Sequence, residues 1–304
     1  MSRFGGIDIG GTSIKYGLVI NGQVKKKYEE LTPQTEEALI ILLKEIIRKL
    51  TLEKVAGIGI GFPGYIDQIK KRYIWGPNLK FKVNLGELVE QVNHNKLKID
   101  NDGNLGALGE YENYYKGKVD NLIYVSFGTG IGGGIISASK LIRGEGSAGE
   151  IGHILISNDN NLDPCSCGKI GCFESLASAS RWTDVVRKLI KEEPLSDLSI
   201  LSKKEIKGSS LFDSQISLTK FQKIERDKIV EYICRGFISL YEVFDNKLFI
   251  IGGAFSEEDN DLILLLKSKI QELDIHGIRS FPDIKMARLK SDAGIVGAAY
   301  LADD

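Results

Sequence analysis

Gly149-Glu150-Ile151-Gly152-His153, followed after a short polar loop by Cys165-Ser166-Cys167-Gly168-Lys169-Ile170-Gly171-Cys172-Phe173-Glu174, gathers one of three histidines, three of four cysteines and two glutamates into one span. His153, Cys165, Cys167 and Cys172 supply the imidazole and three thiolates of a closed tetrahedral zinc site, and Gly168 and Gly171 allow the tight turn such a site needs. Two alternatives stand beside this reading, small buried thiols and a disulfide pair. A chain with no secretory leader favours the metal over both. Glu150 and Glu174 fit neither alternative. They are hard oxygen donors next to a soft sulfur site that is already complete, and so suit hydrogen bonds from a polyhydroxylated ligand.

The chain of 304 residues is long for one core and comfortable for two domains. Its 40 Lys and Arg balance 41 Asp and Glu, a net charge of -1, so it carries no global field to draw nucleic acid or an anionic membrane. A small-molecule partner is expected. No apolar run approaches the roughly 18 residues of a membrane span, and residues 1–9 lack the basic start and apolar middle of a signal peptide. The expected location is the cytoplasm. Abundant Ile, Lys and Glu with only two Met lean toward a heat-adapted source, where intracellular disulfides are more common.

Upstream, Phe4-Gly-Gly-Ile-Asp8-Ile-Gly10-Gly11-Thr12-Ser13-Ile14-Lys15 reads as strand, glycine turn, strand, with Asn21-Gly22 closing a hairpin. Its glycines let backbone N–H groups approach phosphate oxygens, and Thr12 and Lys15 add donors. No helix follows, so this is not a Walker loop. Residues 122–136 repeat the pattern around Gly128-Thr129-Gly130, a degenerate internal repeat. Gly59-x-Gly61-x-x-Gly64 and Gly128-x-Gly130-x-x-Gly133 both spell a dinucleotide fingerprint, but neither opens a helix, and both are rejected. Thr32-Pro33 predicts a helix start running to Thr51. In Asp100-Asn101-Asp102-Gly103-Asn104, between a strand and a helix, Asp100 or Asp102 reads as a helix cap. Helices are predicted over 175–192 and 227–244, the latter with Cys234 as a buried thiol, and 195–218 reads as a polar insertion. The strand 247–251 ends in Gly252-Gly253-Ala254, and a small-residue helix starts at Asp292.

Glu150-Ile-Gly-His153 with Cys165-x-Cys167-Gly-x-x-Gly171-Cys172-x-Glu174 resembles, spacing included, the signature of the ROK family of repressors, open reading frames and sugar kinases. The resemblance extends over essentially the whole chain. It implies a glucokinase- or hexokinase-like ATP-dependent sugar kinase of the actin, hexokinase and chaperone ATPase superfamily. The implied fold class is α/β: a two-domain actin-like ATPase (ribonuclease H-like) fold of duplicated mixed sheets flanked by helices, with an interdomain cleft. The smaller domain is expected over residues 1–102 plus 292–304 and the larger over 103–291.

By the same resemblance, ATP and Mg2+ are expected at Asp8, Gly10, Gly11, Thr12, Lys15, Gly128, Thr129 and Gly130, with adenosine at Gly252, Gly253 and Ala254. The sugar is expected at Gly64, Asn78, Asn101, Asp102, Glu150, His153 and Glu174. Asp102 maps to the general base for the 6-hydroxyl, and an unshifted pKa near 4 is expected of it. His153 would serve both structural zinc and sugar, one ring nitrogen each. Alanine usually stands in the family where this chain has Gly103, which should slightly loosen the helix start. A homo-oligomer, dimer or tetramer, is expected. The rival readings are a sugar-sensing regulator of the same family with little catalysis, although such regulators carry a DNA-binding segment ahead of the phosphate loop, and a kinase for an N-acetylated hexosamine.

Overall fold

Strand β1 (Arg3–Ile9) pairs antiparallel with β2 (Ser13–Ile20), placing Asp8 opposite Lys15. Asn21 and Gly22 both take positive φ, 49° and 70°, the mirror-image turn whose twist matches a hairpin, and lead into β3 (Gln23–Leu31). This computed structural model describes residues 2–76, 79, 81–86, 88, 97–201, 206–253, 261–273 and 280–303. Asn78 and Ala254, both expected at the site, lie outside them.

On its other side β1 runs parallel to β4 (Gly57–Phe62). Three short strands, β5 (Tyr65–Asp67), β6 (Arg72–Trp75) and β7 (Val83–Asn84), form a separate sheet. β8 (Leu97–Asn101) then pairs parallel with β4, completing the order β3-β2-β1-β4-β8. A second five-stranded sheet comprises β9 (Leu122–Phe127), β10 (Ile131–Ser137), β11 (Lys140–Leu141), β12 (Leu248–Gly252) and β13 (Asp283–Met286) in the order β11-β10-β9-β12-β13. Strand for strand this is the order of the first sheet. The repeat read from two glycine turns is therefore a repeat of topology.

The chain forms two compact units: Met1–Tyr124 with Gly133–Glu150 and Arg288–Asp304, and Val125–Gly132 with Ile151–Ala287. In the first, α1 (Glu36–Leu52) buries Leu39, Leu43, Ile46, Ile47 and Leu50, one apolar stripe, in a core with Ile7, Ile9, Ile60 and Phe62 of the sheet. The predicted start at Thr32-Pro33 is displaced. Thr35 caps the helix by accepting from the Ala38 N–H at 3.4 Å. Thr32 is engaged elsewhere: its hydroxyl donates to Gly10 O at 2.7 Å and its N–H to Thr12 O at 3.0 Å. It thus pins the first glycine turn from both ends.

α2 (Asp102–Glu110) follows directly on β8. In the second unit the helix predicted over 175–192 is two, α3 (Phe173–Ala177) and α4 (Ala179–Glu192). They part at Ser178, which turns extended (ψ 158°) and caps α4 through the Arg181 N–H at 3.3 Å. The insertion holds the short α5 (Asp197–Ile200) and a 3-10 turn, Gly208–Phe212, whose Phe212 packs edge-on against Trp182. α6 (Lys220–Phe244) starts seven residues before the expected Asp227, because Thr219 and Gln222 make a capping box. Cys234 on α6 is fully buried, as expected. α7 (Leu262–Leu273) completes this unit. Back in the first unit, α8 (Ala293–Asp303) is apolar nearly all round and is buried between α2 and strands β1 and β4. Among the described residues no helix is long and apolar enough to cross a membrane.

Candidate active site and metal centre

The junction of β8 and α2 concentrates the chemistry of the first unit. Asn101, not either aspartate, is the helix cap. Its Oδ1 accepts from the N–H groups of Gly103 and Asn104 at 2.8 and 3.2 Å, and its Nδ2 donates to Gly64 O at 3.1 Å. With capping assigned to Asn101, the half-buried Asp102 carboxyl accepts from the Gly103 N–H at 2.8 Å. Gly103 has a reason that the sequence does not disclose. A Cβ there would stand 2.5 Å from Gly133 O on β10, so the alanine usual in the family cannot be accommodated at this spacing.

Asp102 does not keep the unshifted pKa near 4 expected of it. Burial, then the neighbouring Asp8 carboxylate and Glu150, push it up to about 7, against the opposing pull of the Gly103 N–H. Asp8, at the end of β1, is itself raised to about 6 by burial, moderated by Lys15 and Lys27. Burial, with Asp102 next, also holds the Tyr73 hydroxyl in its neutral form, and it donates to Leu79 O at 3.0 Å. The result is a carboxylate poised near neutral pH at a helix start, the property a general base requires.

In the second unit, His153, Cys165, Cys167 and Cys172 bring four ligand atoms within 4.8 Å of one another. Cys167 Sγ and Cys172 Sγ are 3.6 Å apart, and Cys165 Sγ lies 3.7 Å from His153 Nδ1. Around an ion with bonds of about 2.3 Å, tetrahedral ligands sit about 3.7 Å apart, so the donor set fits a metal. All four cysteines are free thiols. Cys165 N–H donates to Lys169 O at 2.8 Å and Gly168 N–H to Cys165 O at 2.8 Å, closing the turn, with Gly168 and Gly171 at φ 84° and 85°.

Glu174, in the first turn of α3, has both oxygens engaged within its own unit. Oε1 accepts from Ser166 Oγ at 3.1 Å and Oε2 from the Ile131 N–H at 2.9 Å. The sequence suggests oxygens available to a ligand; here they link the cysteine loop to the second glycine turn. A carboxylate has further lone pairs, so a sugar hydroxyl could still be accepted. That turn is closed by the Gly128 N–H donating to Gly130 O at 2.9 Å, and Thr129 at its tip is exposed. In the first turn Gly10 N–H donates to Ser13 O at 2.9 Å, and Thr12 is exposed. Gly252 ends β12, with Gly253 at φ 89° beyond it. Glu150 belongs to the first unit and His153 to the second, three residues on. Sequence reasoning missed the roles of Thr32, Ser166 and Arg143: Thr32 and Arg143 act through partners 22 and 43 residues away, and Ser166, inside the cysteine motif, ties that loop to Glu174.

A family model described as the ROK family matches residues 4–304. The chain is 32% identical over 308 residues to the glucokinase of Streptomyces coelicolor, covering 98% of this chain and 96% of that one. It is 34% identical over 276 residues to the xylose repressor of Caldicellulosiruptor bescii, covering 87% of this chain and 68% of the repressor. Among solved structures, a ROK family glucokinase from Streptomyces griseus in complex with glucose and AMPPNP superposes with a TM-score of 0.83 at 28% identity, covering 99% of both chains.

Proposed function

This chain belongs to the ROK family and has the actin-like ATPase fold of its kinases, and we propose that it is an ATP-dependent kinase transferring phosphate to the 6-hydroxyl of a hexose. The observation that carries this reading is Asp102, a half-buried carboxyl with a pKa of about 7 beside Asn101. In the proposed reaction Asp102 takes the proton of the attacking hydroxyl as that oxygen bonds to the γ-phosphorus and the bond to ADP breaks. Phosphoryl transfer through a loose transition state depends chiefly on positioning and charge neutralisation, and a base matched to the working pH adds about 10²- to 10⁴-fold. The turns at Gly10–Thr12 and Gly128–Gly130 would offer N–H donors to phosphate oxygens of ATP. Asn101 and Glu150, with His153 and Glu174, are the proposed sugar contacts.

Asp8 offers a hard oxygen ligand that would suit magnesium, which would supply positive charge against the ATP phosphates. The four-ligand cluster would hold zinc structurally. His153 Nδ1 faces the thiols, and Nε2 is the proposed sugar contact. A glucokinase and a glucose-bound relative support a hexose substrate. The xylose repressor supports a second reading, a sugar-binding regulator with little turnover.

The test is ADP release with Mg-ATP against a panel of aldohexoses, hexosamines and N-acetylated hexosamines, for wild type and Asp102→Asn. Sugar-dependent turnover that falls at least about 100-fold in the variant while sugar still binds supports the kinase. A wild type that binds sugar without turnover passes the lead to the regulator.

A further inference from the structure

Asp100 immediately precedes the proposed Asn101-Asp102 pair and is almost fully buried, 2% exposed. Its carboxylate makes three bonds. Oδ1 accepts from the Asn101 N–H at 2.8 Å and from Asn104 Nδ2 at 2.9 Å, and Oδ2 accepts from Arg143 Nε at 2.7 Å. A buried carboxylate is tolerated when a cation and hydrogen bonds satisfy it, and Arg143 is that cation. Arg143 also opens the loop leading to Glu150. Its carbonyl accepts from Gly146 N–H at 2.9 Å and Ala148 N–H at 3.2 Å, and the Glu150 N–H donates to Ser147 O at 3.3 Å. Gly149 in that loop lies so close to Asn104 Oδ1 and Gly133 O that a side chain would press on both. One arginine therefore grips β8 beside the proposed base with its guanidinium and folds the loop bearing Glu150 with its backbone. All of these residues belong to the first unit.

We propose that Arg143, acting through Asp100, is a positioning residue that sets the placement of Glu150 relative to Asn101 and Asp102, and so governs sugar recognition rather than ATP binding. This rests on the kinase reading. Arg143 is not among the proposed sugar or ATP contacts; it acts through Asp100 and its own loop. Its planar Nε–H aims at one carboxylate oxygen in a way a lysine ammonium does not reproduce.

The experiment compares wild type with Arg143→Ala, Arg143→Lys, Asp100→Asn and the Asp100→Asn/Arg143→Ala double variant. It measures KM for hexose and for ATP, kcat, hexose affinity by calorimetry without ATP, and melting temperature. Loss of a buried charge-assisted bond predicts a rise of about tenfold or more in hexose KM and Kd for Arg143→Ala and Asp100→Asn, with ATP KM within about twofold of wild type. The double variant should be no worse than the poorer single one, because the two residues act as a unit, and Arg143→Lys should fall between. Should Arg143→Ala not fold because it strands a buried charge, the double variant, which strands none, carries the test. Equal losses in hexose and ATP binding, additive single effects, or a lower melting temperature with unchanged hexose affinity would overturn the proposal. A wild type that binds hexose but releases no ADP removes the kinase reading alone, since the calorimetric comparison still decides the role of Arg143. A wild type that does neither overturns both.

Discussion

Replacing Asp102 with Asn should stabilise the protein above neutral pH while removing phosphoryl transfer. The carboxyl rises from 3.8 to about 7 on folding, a little over three pH units. At about 1.36 kcal/mol per unit, ionising it in the folded state costs about 4 kcal/mol as an upper bound, and its partial exposure to water reduces this to about 2 kcal/mol. The direction follows from the raised value. Below pH 3.8 the group is protonated in folded and unfolded chains alike and costs nothing. As pH climbs from 3.8 towards about 7 the unfolded chain has released a proton that the folded chain retains, so stability falls across that window, and above about 7, where both are ionised, the loss is complete.

Asparagine carries no charge and keeps an oxygen for the Gly103 N–H. Ligand-free melting curves from pH 4.5 to 8.5 should place the two proteins within a degree or two at the acid end. At pH 8 the variant should melt roughly 4–8 °C higher, from about 2–4 °C per kcal/mol for a domain of this size. In the same range kcat/KM of wild type should fall about tenfold per unit below pH 7, as the base becomes protonated. A variant that melts at or below wild type at pH 8, or whose advantage is equally large at pH 4.5, would refute the argument that Asp102 is an ionised group held against a desolvation penalty.

Chelation at mildly acid pH should release close to one equivalent of zinc, read with a chromogenic dye, and should weaken sugar affinity before it slows single-turnover phosphoryl transfer. Loss of metal with unchanged sugar affinity would separate the cysteine loop from sugar recognition. Thr32→Val removes the hydroxyl bond to Gly10 O and should raise ATP KM several-fold, about 1 kcal/mol, with hexose KM unchanged; an unaltered ATP KM would mean that the first turn holds its shape without this tie. Gly103→Ala restores the alanine usual in the family, yet it should destabilise by about 1–3 kcal/mol through contact with Gly133 O. Chemical denaturation measures this, and a stabilised variant would show that β10 yields at little cost.

The features legible in the sequence are those made by residues close together in the chain. The Cys165–Cys172 turn needs only its own glycines, so its ligand set could be read from spacing, and the hairpin at Asn21-Gly22 needs only two residues tolerant of positive φ. The two glycine turns revealed the duplication because each is a local strand-turn-strand unit, and matching sheet orders follow from it. The boundary of α1 went astray because Thr32 is held by Gly10 and Thr12, contacts beyond the local pattern, whereas that of α6 was legible locally in the Thr219-x-x-Gln222 capping box.

Charge state and positioning belonged to the tertiary structure. Asp102 reads as an ordinary aspartate until Asp8, far back in the chain, and Glu150, far ahead of it, are folded around it, because desolvation and Coulombic repulsion depend on distance in space. The capping role passed from the aspartates to Asn101 because the geometry at the end of β8 directs that side chain onto the N–H groups of the first turn. Gly103, Thr32 and Arg143 are each explained by a partner between 22 and 43 residues away. Local propensity carries no information about such partners, whereas close packing in three dimensions dictates them.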